Sequence, residues 1–257
     1  MVMKKDMTKE QLRAKKNDDA VVYKVMIALV LLCAALLGMR SLRNYYGTTE
    51  GFSALYDRTS AIMIAGLVLA VAAAAAGIFA KVRAIRIIAP WVVIAGLLIA
   101  ATGWIMRLSG INDFEFLYYL CLAVLLQYII FQLYRWEFFL FSLSTVVAGG
   151  LFFSFSRGIY WTSKNVLMII VLALVLIGTT IITNWATHNK GYLSLGHKRV
   201  QLFSAKSAPI LIFIANVLWL VCAIAIPFLG GLFAYYCMFA AIAVEFIAAV
   251  YYTFQLN

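Results

Sequence analysis

Long apolar runs separated by short charged or aromatic segments set the pattern of this chain. The runs fall at 21–39, 60–80, 87–106, 116–134, 138–156, 165–186, 209–229 and 232–254. Each is close to the roughly 20 residues that a helix needs to cross a hydrocarbon core about 30 Å thick. The stretch 116–156 is too long for one crossing, and Arg135-Trp136-Glu137 divides it at a tight turn. The pattern predicts an all-α, polytopic transmembrane helix bundle of eight spans. Its expected organisation is a basic cytoplasmic tail over 1–20, a single transmembrane bundle over 21–254, and a basic cytoplasmic loop over 187–208.

Small residues mark faces for close packing. Gly66, Ala70, Ala73 and Gly77 form one stripe on the second run, and Gly96, Ala100 and Gly103 form another on the third. Without Cβ bulk, helices approach closely in lipid. Pro90 is expected in the first turn of the third span, where a missing N–H costs little. Gly149-Gly150 in the fifth span signals either a kink or a close neighbour. Thr8 followed by Gln11 fits a capping box, so a short helix is expected to start in the tail. Basic and apolar residues alternate through 187–208, as in an element that lies on a membrane surface.

Charge supplies the orientation. With eight spans both termini share a side, and 15 Lys and Arg fall on it against 6 on the other. The positive-inside rule then places both termini in the cytoplasm of a multi-pass cell-membrane protein. The tail and residues 187–208 are expected to touch anionic lipid headgroups.

Composition agrees with the class: 65% of the 257 residues are hydrophobic and 12% are charged, with a mean hydropathy of +0.98. The net charge of +11 invites a nucleic-acid reading, but the basic residues sit at the ends of apolar runs, so no nucleic acid is expected. Cys33, Cys121, Cys222 and Cys237 all fall inside runs and read as small apolar residues. No histidine lies in a span, and no Walker loop, G-x-G-x-x-G, intramembrane Ser-His arrangement or acidic pair is visible. No catalytic, cofactor or metal residue is therefore assigned.

One residue breaks the apolar pattern. Glu245 is the only acidic side chain read as deep within a run. It lies about 13 Å from the Phe254 end of the last helix and about 20 Å from the Leu232 end. At helical spacing it shares a face with Ala234, Cys237, Met238, Ala241, Ala248, Ala249 and Tyr252, whereas Phe239, Phe246, Ile247 and Val250 lie opposite. The small face is expected to turn inward and carry Glu245 with it. No Lys or Arg sits at matching depth, so a neutral partner or a proton is required. The candidate partners are Gln127, Asn216, Thr179, Thr180 and Tyr252.

Intramembrane ionisable residues commonly mark ion or substrate paths. The leading expectation is a small transporter, or a membrane-embedded subunit of one, with Glu245 as coupling or substrate-contact residue and Gln127 and Asn216 completing an intramembrane polar site. The alternative is a non-catalytic membrane scaffold or assembly partner. A third reading gives the outer arginines, Arg107 and Arg157 among them, an anion-binding or enzymatic role toward lipid-linked substrates; headgroup anchoring explains them more simply.

Overall fold

The computed structural model describes residues 9–79, 82–109, 114–158, 161–189, 191–195, 198–203 and 209–255. Among these residues there are nine helices: α1 Lys9–Tyr46, α2 Thr49–Tyr56, α3 Thr59–Phe79, α4 Arg83–Ser109, α5 Phe114–Leu133, α6 Trp136–Ser156, α7 Ser163–His188, α8 Ile210–Leu229 and α9 Gly231–Gln255. All but α2 are long and apolar enough to cross a membrane. The chain is a multi-pass helical membrane protein with eight such spans.

The helices outrun the apolar segments. α1 covers 38 residues, about 57 Å at the helical rise, and so runs unbroken across the expected boundary between tail and first span. The tail's capping box falls on Thr8, outside the described residues. The polar segment after the first span is itself helical: α1 continues to Tyr46 and α2 follows, with Thr48 Oγ1 accepting from Gly51 N. α4 begins at Arg83, which puts Pro90 well inside the helix rather than in its first turn. Hydropathy marks where lipid is met, whereas backbone hydrogen bonding continues past the interface until a turn or cap stops it.

The chain divides into two compact units. The first comprises residues 1–34, 123–159 and 169–257, and α6 is its core. Over its apolar window α6 is 72% buried, against 28% or less in every other span. It packs on α9 and on α8. It passes unbroken through Gly149-Gly150, both buried. α6 also carries several small hydroxyls. Ser144 and Thr145 turn back to donate to Phe141 O at 2.8 and 3.1 Å, which lets them be buried without an orphaned proton. α8 adds Trp219, fully buried, with Nε1 donating to Thr145 Oγ1 at 3.1 Å.

Within this unit α7 ends in a cap that requires glycine. Gly191 N donates to Ala186 O at 2.8 Å with φ +85°, and a Cβ there would meet Phe203 O at 2.6 Å. The chain then forms a short antiparallel hairpin, β1 Tyr192–Leu195 with β2 Lys198–Gln201, in which Leu193 faces Val200 and Ser194 faces Arg199. This is the one departure from an all-helical fold among the described residues. It occupies the segment read from sequence as a basic surface loop.

The second unit comprises residues 35–122 and 160–168. It is built on the antiparallel pair α3 and α4, whose two small-residue stripes meet. Tyr46 Oη donates to Met106 O at 3.2 Å. Lys164, buried at the start of α7, places its ammonium 5.6 Å from the Phe116 ring centroid.

Candidate functional site

One set of buried polar groups in the first unit lies along the contact between α6 and α9. These helices run antiparallel: Gly231 at the start of α9 approaches Phe155 O near the end of α6, and Tyr252 near the end of α9 reaches Glu137 at the start of α6. The face of α9 expected to turn inward does so. Ala234, Cys237, Ala241, Ala248 and Tyr252 are buried, whereas Phe239, Phe246, Ile247 and Val250 are exposed, as lipid-facing side chains should be. Glu245, on the inward face, is half-buried.

The partner of Glu245 is Ser142, which is not among the five candidates that the sequence offers. Ser142 Oγ, fully buried, donates to Glu245 Oε1. Gln127 Nε2 on α5 donates in turn to Ser142 Oγ at 2.7 Å. Three helices therefore contribute one continuous chain, Gln127 to Ser142 to Glu245. Its two terminal oxygens, Gln127 Oε1 and Glu245 Oε2, are inaccessible and have no hydrogen-bond partner.

The other proposed partners lie elsewhere. Asn216 on α8, 5% exposed, donates through Nδ2 to Thr179 Oγ1 and Thr180 Oγ1 on α7, both at 2.9 Å. Its Oδ1 and Thr183 Oγ1 are buried and unfilled. Gln127 and Asn216 thus belong to two separate polar clusters, and Asn216 does not bind Glu245. Tyr252 serves a different carboxyl: its Oη donates to Glu137 at 3.1 Å and its ring stacks on Phe138 with centroids 5.0 Å apart.

Glu137 corrects the sequence reading most directly. The sequence reads it as part of the tight turn that divides 116–156. Glu137 instead lies in the first turn of α6 and is 2% exposed. A carboxylate there faces the positive end of the helix dipole. The available signal was Tyr252, which shares the inward face of α9 with Glu245 seven residues away and so needs a polar partner on the facing helix.

Arg107 is exposed near the end of α4 in the second unit. Arg157, exposed at the C-cap of α6 in the first unit, lays its guanidinium 4.7 Å from the Phe153 ring centroid. The described cysteines are free thiols, and those of Cys222 on α8 and Cys237 on α9 lie in contact. Among the described residues no three His, Cys, Asp or Glu side chains gather in a metal-binding group. His188 Nδ1–H donates to Asn184 O at 2.9 Å, and His197 lies outside the described residues.

No protein-family model matches this chain, and no similar curated protein or solved structure was found. The chemistry of the site therefore has to be read from its own atoms. A carboxyl within a membrane span, tethered on one oxygen by a neutral chain and unfilled on the other, is equipped to take up a proton, a cation or a hydrogen-bond donor.

Proposed function

We propose that this eight-span membrane protein is a small transporter, or the membrane-embedded subunit of one, in which Glu245 couples ion movement to transport or contacts the substrate. The observation that carries the reading is the unfilled pair of oxygens, Glu245 Oε2 and Gln127 Oε1, at the two ends of a chain centred on a buried serine. A purely structural carboxyl in lipid is expected to have its hydrogen-bonding capacity used up, because each unmet polar group in hydrocarbon is costly. Unmet acceptors within a span suit an occupant that comes and goes. The charge bias of the loops supports a cell-membrane orientation with both termini cytoplasmic. It also supports contact of the N-terminal tail and residues 187–208 with anionic lipid.

The test uses the full chain in proteoliposomes that enclose a pH-sensitive dye. A panel of ions and small polar solutes is added outside under an imposed gradient. At least one solute should move protons or be moved by them. Glu245→Gln should lower that flux on the order of tenfold or more, equivalent to about 1.4 kcal/mol in the barrier, while elution profile and unfolding midpoint stay unchanged. Wild-type flux in Glu245→Gln would refute the assignment. Collapse of the fold in Glu245→Gln, with a stoichiometric protein partner copurifying with the wild type, would favour an assembly role instead.

A further inference from the structure

We propose that the ion coupled at Glu245 is a proton, and that Ser142 is the positioning residue that passes its arrival from α9 to Gln127 on α5. This rests on the transport reading above and names its coupling ion and its relay.

The donor set favours a proton over a metal cation. Hard cations surround themselves with about six or more oxygens. Around this chain the unfilled oxygens are Glu245 Oε2 and Gln127 Oε1. The neighbouring α6 hydroxyls are already engaged: Ser144 donates to Phe141 O, and Thr145 donates to Phe141 O and accepts from Trp219. On the inward face of α9, Ala241 and Ala248 flank Glu245 by one turn on either side and offer no oxygen from their side chains. A proton needs one oxygen and no coordination shell.

The relay follows from counting hydrogens. A serine hydroxyl has one hydrogen and two lone pairs, and a glutamine amide has donors on nitrogen and acceptors on oxygen. In the observed direction Gln127 Nε2 donates to Ser142, and Ser142 donates to Glu245 Oε1. The same three side chains admit the reverse direction once one proton is bound at Glu245 Oε1. The carboxyl O–H then donates to Ser142 Oγ, and the serine hydrogen swings to Gln127. The Gln127 amide turns over so that Oε1 accepts it. One proton is gained from water, and no other covalent bond forms or breaks. The outcome reaches α5: where Gln127 offered an unfilled acceptor, it now offers unfilled N–H donors.

Few other titratable side chains lie on the helices that carry this chain or pack beside it. α6 contributes Glu137, α8 contributes Cys222, and α9 itself contributes Tyr235, Tyr236, Cys237, Tyr251 and Tyr252. α5 contributes Tyr128, with Tyr134 just beyond its end. From residue 123 onward α5 carries no Lys, Arg or His, nor do α6, α8 and α9. These four segments therefore supply no cation to compete with a proton at Glu245.

The deciding measurement is infrared difference spectroscopy on the reconstituted full chain with isotope-labelled glutamine, stepping from alkaline to acid pH at fixed sodium. The wild type should gain a carboxylic-acid band and shift a side-chain amide band. The acid band should vanish in Glu245→Gln, and the amide shift should be assigned to Gln127 by its loss in Gln127→Leu. Glu137→Gln should keep both signals. Ser142→Ala should keep the acid band and lose the amide shift, and Ser142→Thr, which restores a hydroxyl, should recover it. If Ser142→Ala does not fold, Ser142→Cys, a weak donor, should weaken the shift. A wild-type amide band that stays fixed, a shift that survives in Ser142→Ala, or a response to sodium at fixed pH in place of acid would overturn the proposal. Because the spectra need no flux, an intact relay in a chain without transport would sink the transport reading alone. Flux that depends on Glu245 but not on Ser142 would sink the relay alone.

Discussion

Gly96→Ala adds one methyl group where the backbones of α4 and α3 approach closely. A Cβ at Gly96 would sit 2.8 Å from Ala70 N, 2.8 Å from Gly66 O and 3.1 Å from Ala70 Cα. All three are backbone atoms of α3, so no side chain can swing aside. Ordinary contact begins near 3.4 Å, so the two helices must part locally by about 0.6 Å. Overpacking of this kind costs about 1–3 kcal/mol. Against it stands the helix-propensity gain of alanine over glycine, about 1 kcal/mol. The net expectation is a loss of up to about 2 kcal/mol. Gly178→Ala on α7 is the matched control. No atom lies within 4 Å of its added Cβ, so only the propensity gain remains and stability should hold or rise by up to about 1 kcal/mol. Both variants are read by thermal unfolding in one detergent and by SDS titration. Were Gly96→Ala as stable as Gly178→Ala, backbone-level contact between α3 and α4 would be wrong.

The buried pair at the start of α6 should show coupling: a double-mutant cycle of Tyr252→Phe and Glu137→Gln is expected to return about 1–2 kcal/mol from their 3.1 Å hydrogen bond, and strict additivity of the unfolding free energies would contradict it. Asn216→Leu removes the donors to Thr179 and Thr180 and should lower stability by about 1 kcal/mol, the usual worth of an interhelical polar contact in lipid. An unchanged SDS-unfolding midpoint in that variant would count against the α7–α8 cluster.

The class of the protein and the number of its spans were determined by the sequence alone. An apolar run of about 20 residues has few options in water or in lipid, because only a helix satisfies its backbone without outside help. The inward face of α9 was equally legible, since the 3.6-residue period sorts Ala241, Ala248 and Tyr252 from Phe246 and Ile247 whatever packs beside them. The same holds for the two glycine stripes, which carry no side chain to serve any other purpose.

What packs against what was decided only by tertiary structure. Glu245 fixed its own depth and face, but its partner had to come from another helix, and nothing in the hydropathy pattern sets Ser142 above Gln127, Asn216, Thr179 or Thr180. A serine hydroxyl leaves almost no mark on a hydropathy pattern, and it can as easily turn back to its own backbone, as Ser144 does. Glu137 was obscured for a related reason. Next to Arg135 it looked like the charge of a turn, and only the antiparallel approach of α9, which brings the Tyr252 hydroxyl across, encloses it. Hydropathy is a property of one segment against its solvent, so it reports which residues meet lipid; the direction of a hydrogen bond between helices is a property of two or three segments at once, and it exists only when they are brought together.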